Sequence, residues 1–272
     1  MNNNPIGIFD SGLGGLTVWR EVRRQLPNED VVYFADSRNC PYGPKSADEI
    51  VLLARAIVDG LLEKGCKLII VACNTATAAA IDELRAAYNV PFVGMEPAIK
   101  QAALHTRTGK VGVLATKGTF NGRLYKATSQ KYARDIEVMV QIGDGLVELV
   151  EANEYNGPKA RPLLEKYINP MLENDVDQVV LGCTHYPFFK SQIEAIAGPK
   201  VSVIDPAPAV ARHTADLLAT NNLQAAADHY GSDIFVSSGD TEAMAVLLAS
   251  ITGRRYERGM LRIGGNQYDC LR

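Results

Sequence analysis

Residues 68–80 read LIIVACNTATAAA, and residues 179–187 read VVLGCTHYP. Each begins as a short run of large, mostly β-branched apolar residues. Each then breaks at a cysteine followed by small polar groups. The first continues into an alanine-rich stretch with the composition of a helix. An apolar run of this length with no alternation predicts a strand buried on both faces, as in a parallel sheet. A single cysteine at such a strand end reads most simply as core, because cysteine is among the residues most often buried. Two of them in matching settings, Cys73 and Cys183, point to a shared chemical role.

The same alternation extends outward along the chain. Strand candidates are IGIFD, DVVYFAD, KLIIVAC, VPFVGM, KVGVLAT, IEVMVQI, DQVVLGC, VSVIDP and DIFVSSGD. Between them lie amphipathic stretches. Val18, Val22 and Leu26 repeat at helical spacing before Pro27, and Ile50, Leu53, Ile57 and Leu61 do so before Gly65, a predicted C-terminal cap. Strands alternating with helices predict an α/β fold with mostly parallel sheets flanked by helices. An internal echo divides it. IGIFDSGLGGLTV resembles VGVLATKGTFNGRLY, DVVYFAD matches IEVMVQI, and LIIVACNTA matches QVVLGCTHY. Gly7 then aligns with Gly112, Ser11 with Thr116, and Cys73 with Cys183. The expected organisation is two pseudo-symmetric domains with the active site between them. Residues 1–95 plus 209–272 form the first and residues 96–208 the second.

Ligands of open parallel sheets bind beyond the carboxyl ends of the strands. Four polar groups fall there: Asp10-Ser11, Cys73-Asn74-Thr75, Thr116 to Thr119, and Cys183-Thr184-His185. Two facing halves would bring Cys73 and Cys183 to one cleft from opposite sides. Each precedes a helix, whose N-terminus is expected to favour thiolate and to suit the carboxylates of a small anion. Inverting a stereocentre by proton exchange needs a base on one face and an acid on the other. A thiol, with an ordinary pKa of about 8.5, serves as either. Asp10 is expected beside Cys73, and His185 follows Cys183 by two residues, so each can orient or relay a proton to its thiol.

Other readings of these residues are weaker. DSGLGG with Asp36 downstream invites a dinucleotide site, but the third glycine of that fingerprint falls on Thr17. A metal site built from Asp10, Cys73, Cys183 and His185 lacks the paired ligand spacing of structural zinc. A pyridoxal-phosphate enzyme needs a Schiff-base lysine, and no lysine occupies a strand end as the cysteines do. A two-lobed binding protein would explain the pseudo-symmetry but not the paired thiols. Cys66 reads as core, Cys40 and Cys270 are unassigned, and His105, His213 and His229 are expected at the surface. Taken alone, Glu151 reads as a solvated helix residue, and Tyr42-Gly43 as a turn.

The bulk properties set the remaining bounds. The 272 residues are 47% hydrophobic and 22% charged, enough to bury a sizeable core. A net charge of −3 with no Lys/Arg cluster argues against a nucleic-acid surface. The N-terminus lacks the charged and hydrophobic regions of a signal peptide, and no apolar run reaches membrane-spanning length. Five scattered cysteines are expected to be reduced, in a cytoplasmic protein.

FDSGLGG, PYG, CNTA and GCTHYP, in this order and spacing, resemble the cofactor-independent glutamate racemases of the aspartate/glutamate racemase family, across essentially the whole chain. The resemblance implies interconversion of L- and D-glutamate without cofactor or metal, for peptidoglycan synthesis, by a cytoplasmic homodimer. It implies that Cys73 acts on the D-enantiomer and Cys183 on the L-enantiomer, assisted by Asp10, His185 and Glu151. Substrate contacts are implied at Asp10, Ser11, Tyr42, Gly43, Asn74, Thr75, Thr116, Thr119, Thr184 and His185. The aspartate racemases tend to carry glutamate where this chain has His185, so GCTHYP favours glutamate over aspartate.

Overall fold

The computed structural model describes residues 1–96, 98–121, 136–239, 241–256 and 261–263. Cys270 and the last residues of the internal echo, 122–125, lie outside them. The first half contributes β1 (Ile6–Asp10), β2 (Val31–Ala35), β3 (Leu68–Val71) and β4 (Phe92–Gly94). The second contributes β5 (Lys110–Ala115), β6 (Glu137–Ile142), β7 (Gln178–Gly182) and β8 (Ser202–Ile204). The chain then returns with β9 (Asp233–Ser237) and β10 (Leu261–Ile263).

These strands form two all-parallel sheets, ordered β10-β9-β2-β1-β3-β4 and β6-β5-β7-β8. The inner order β2-β1-β3-β4 of one repeats as β6-β5-β7-β8 in the other, so the two domains are pseudo-symmetric. β1 lies between β2 and β3 with Phe9 opposite Phe34 on one side and Val71 on the other. Every residue of β1, β2, β3 and β7 is buried, which accounts for their unbroken apolar runs.

Helices cover the sheets. Ala47–Glu63 starts on a Ser46–Glu49 capping box and ends before Gly65, whose φ of +78° requires the left-handed conformation glycine tolerates. Leu16–Gln25 packs against Ala207–Thr220 and is tied to β9 by Trp19 and Arg23, both donating to Asp233 Oδ1 (2.8 and 2.6 Å). At the opposite end of the first sheet from the strand carboxyl termini, the Lys67–Glu29 ion pair is almost fully buried. Lys67 also donates to Asn2 O, and Glu29 Oε1 accepts from the Ala225 amide. Removing one partner of such a pair strands a buried charge, a loss of about 3–5 kcal/mol. One continuous cluster of buried apolar residues runs from β1 and β2 through Leu146–Val150 to β7, holding the two domains together. Cys66 is buried in the other core of the first domain.

Candidate active site

The carboxyl ends of β1 and β3 deliver Asp10 and Cys73. Cys73 is the N-cap of helix Asn74–Ala87, and its Sγ accepts from the Ala76 amide at 3.4 Å. The thiol donates to Ser11 Oγ, also at 3.4 Å. The expectation of a thiolate here does not hold. Burial, with the negative charge of Asp10 behind it, outweighs the Ser11 and helix-terminus contacts and pushes Cys73 up to about 12. Asp10 is fully buried, which raises its own carboxyl, while His185 and the Gly12 and Gly15 amides oppose the rise. Its Oδ2 accepts from Gly12 N–H (3.1 Å) and its Oδ1 from the Thr184 hydroxyl across the domain junction (3.1 Å).

The corresponding junction after β7 is built differently. Cys183 Sγ lies 3.7 Å from His185 Nδ1, and His185 Nε2 lies 2.6 Å from Glu151 Oε1. Burial alone would lower the imidazole pKa, but the contacts and charges of Cys183 and Glu151 prevail and raise it well above its ordinary value. The ring lies between the sulfur and the carboxylate, and its Nε2 also accepts from Gly14 N–H at 3.2 Å. Glu151 closes helix Leu146–Glu151 and also accepts from Leu13 N–H at 2.6 Å. It is therefore part of the site rather than a solvated helix residue.

The glycines of DSGLGG find their use here. A Cβ on Gly12 would fall 2.3 Å from Glu151 Oε1, and one on Gly14 would fall 2.4 Å from His185 Nδ1. They let the second domain's acid/base side chains reach the backbone of the first, rather than clearing room for a pyrophosphate. Tyr33, a neutral phenol held so by burial and the surrounding negative groups, donates to Gly12 O at 3.0 Å and fixes the loop from below.

Around this centre Thr75, Thr116 and Thr119 form a ring of hydroxyls joining helix Asn74–Ala87 to the end of β5, with oxygens 2.9–3.3 Å apart. Asn74 Nδ2 donates to Met95 O, and its Oδ1 is buried with no partner among the described residues, an acceptor suited to an ammonium group. Gly43 lies against Thr116 and Gly118. The Tyr42 hydroxyl is turned away, donating to Asp36 Oδ2 at 2.6 Å. Cys73 and Cys183 are only 5% and 7% exposed, and a charge on Cys183 opposes ionisation of Cys73. The two thiols therefore share one nearly closed junction. His105 and His213 lie on the surface, and half-buried His229 contacts Asp30 at 3.0 Å. Sequence reasoning missed Cys40, whose Sγ crowds Gly12 beside Glu151. No local signal marks it, because its approach to Glu151 is made only when the domains meet.

The profile of the Asp/Glu/hydantoin racemase family matches residues 6–214, a span that holds both thiol junctions. The chain belongs to that family. Similarity to its members is extensive. A glutamate racemase of Herpetosiphon aurantiacus is 48% identical over 240 residues, covering 88% of this chain and 94% of the relative. The crystal structure of a glutamate racemase isoform from Bacillus anthracis superposes with a TM-score of 0.84 at 30% identity, covering 97% of each chain. The Escherichia coli glutamate racemase in complex with L-glutamate and the activator UDP-MurNAc-Ala gives 0.82 at 31% identity, covering 96% of this chain and 97% of that one. As a family member, the chain is an amino-acid racemase, an isomerase. No helix among the described residues of this racemase is long and apolar enough to cross a membrane.

Proposed function

We propose that this chain interconverts L- and D-glutamate by a two-base proton transfer between Cys73 and Cys183. The observation that carries the reading is the pair of thiols at equivalent strand-to-helix junctions, converging on one buried site with different proton partners. In the L-to-D direction Cys183 takes the α-proton, and the His185 ring, with its proton affinity raised, faces the sulfur. Cys73, held as a thiol, delivers its own proton to the opposite face of the carbanion. In the reverse direction Cys73 is the base, and Asp10, with its raised carboxyl, relays its proton. Glu151 acts through His185 as a positioning residue.

The substrate carboxylates are received by the hydroxyls of Ser11, Thr75, Thr116, Thr119 and Thr184, by the N-terminus of helix Asn74–Ala87, and by the backbone of Tyr42-Gly43. Asn74 Oδ1 takes the ammonium. A closed, preorganised set of donors lowers the barrier to removing a weakly acidic α-proton. Both proton-transfer groups come from this chain, and the scheme calls on no cofactor.

The two lobes of the site are proposed to be residues 1–95 with 209–272, and residues 96–208. The sheet memberships support this, since β4 ends at Gly94, β5 begins at Lys110 and β8 ends at Ile204. The product is assigned to peptidoglycan synthesis in the cytoplasm, and the active form to a homodimer. A relative crystallised with a muramyl nucleotide activator supports the cell-wall role.

Purified protein incubated without added cofactor, with chiral separation of products, tests the reading. Racemisation of glutamate and not of aspartate is expected. Faster turnover of aspartate would overturn the substrate assignment, and binding of glutamate without interconversion would make the chain a two-lobed binder.

A further inference from the structure

Cys40 stands outside the scheme above, yet it lies within it in space. Its Sγ, a carboxylate oxygen of Glu151 and a ring nitrogen of His185 all fall within 4.8 Å of one another. The three come from distant parts of the chain: the loop after Ser37–Asn39, the end of helix Leu146–Glu151, and the residue leading into the helical turn Tyr186–Phe189. Cys40 and Glu151 are both half-buried, so this face of the junction is reached from solvent.

We propose that Cys40, Glu151 and His185 form a three-ligand site for a thiophilic divalent cation, zinc or cadmium, whose binding shuts off proton transfer. One sulfur, one imidazole nitrogen and one carboxylate oxygen is a donor set that zinc accepts, with the fourth position left to water. Thiolate and imidazole select zinc and cadmium over magnesium and calcium, which take oxygen ligands. Around a tetrahedral zinc, bond lengths of about 2.0–2.3 Å put ligand atoms about 3.3–3.8 Å apart. The His185–Glu151 contact of 2.6 Å has to open by about 1 Å, while Cys40, at most 4.8 Å from either, closes by about the same. The opening also releases the Leu13 amide from Glu151 Oε1 and the Gly14 amide from His185 Nε2.

The metal takes the place of the proton between His185 Nε2 and Glu151. On binding, the Cys40 thiol proton and the proton shared by His185 and Glu151 leave for solvent, and the cation joins the two groups that serve Cys183. Metal binding and turnover are therefore mutually exclusive. The burial and the neighbouring negative charges that hold Cys40 protonated in the free protein are relieved by the cation itself.

Titration of the intact chain with Co2+ provides a test independent of activity. Wild type is expected to show a sulfur-to-cobalt charge-transfer band saturating at one ion per chain. Cys183→Ala should keep the band, and both Cys40→Ala and Cys40→Ser should lose it, with native circular dichroism in each. The second readout, racemisation, rests on the function proposed above. Zinc should inhibit wild type reversibly, with EDTA restoring turnover. The inhibition midpoint should rise by about tenfold or more in Cys40→Ala and Cys40→Ser, each read against its own metal-free rate. A band lost in Cys183→Ala but kept in the Cys40 variants, no cobalt binding at all, or equal zinc sensitivity with and without Cys40 would each overturn the site. If no racemisation is found in any variant, the cobalt band still decides this inference, and only the proposed activity falls.

Discussion

Cys73, two residues past β3, and Cys183, one residue past β7, occupy corresponding places in two copies of one fold, yet their surroundings differ. Cys73 faces a buried carboxylate, Asp10, and a serine hydroxyl, and is pushed up to about 12. Cys183 faces an imidazole whose proton affinity the sulfur and Glu151 raise. Topological repetition places the thiols, and side chains that do not repeat divide their labour. One thiol holds a proton to give, and the other faces an imidazole–carboxylate pair.

The comparison breaks most sharply at the thiols. Cys73→Ala and Cys183→Ala should each lower kcat by about 10²–10⁴-fold, measured by chiral chromatography from both enantiomers. The enantiomers have equal free energy, so kcat/KM must fall equally in the two directions. Asymmetry between the junctions is expected in kcat and KM together, never in their ratio. His185→Asn should cost about 10²-fold, and Gly14→Ala should approach this without altering any reacting group. Its Cβ would fall 2.4 Å from His185 Nδ1 and displace the ring. Retention of full kcat in Gly14→Ala would show that the ring position is immaterial.

Glu151→Gln sharpens the contrast. It removes one of the two groups that hold the imidazole protonated, so His185 should lose its proton at lower pH than in wild type. The basic limb of the rate profile should move down, with about a tenfold loss of kcat at its maximum. An unmoved limb would separate Glu151 from the proton chemistry.

Stability provides a smaller effect. Cys66 and Cys73 are both pushed up to about 12 by burial, with Asp10 adding to the rise at Cys73. The folded state holds these protons more tightly than the unfolded chain. Their contribution is fully present below pH 9 and is lost as pH rises towards 12, each group contributing up to ~1.4 kcal/mol per pH unit. Urea unfolding at pH 8, 10 and 11 should show the fall, shallower in Cys73→Ala. Smallest of all, Thr75→Val should cost about 1 kcal/mol by opening the hydroxyl ring across the junction.

The sequence made the architecture legible because its signals are local. Unbroken apolar runs mark strands buried on both faces, and the echo around Gly7/Gly112 and Cys73/Cys183 anticipates the repeated strand order. The carboxyl-end rule located Asp10, the thiols and the threonines. What stayed hidden depends on the meeting of distant segments. The charge state of Cys73 was misread because the helix-terminus argument is local, while burial and Asp10 act only in the assembled site. The dinucleotide reading of DSGLGG is weak on sequence alone, but that its glycines make room for Glu151 and His185 shows only in the assembled site. Glu151 came only from the family resemblance, since one glutamate at a helix end carries no signal of its partner. Cys40 had no signal at all.

The central claim, that the two thiols act on opposite faces of one carbon, is tested most directly by following isotope in early turnovers. L-glutamate is incubated with the protein in heavy water, and the isotopic content of residual substrate and new product is read separately. The account predicts that D-glutamate carries deuterium from the first turnovers while unreacted L-glutamate keeps its α-proton, because the proton delivered by Cys73 comes from solvent. Product that retains the substrate's own proton would show a single base working both faces and would contradict the account.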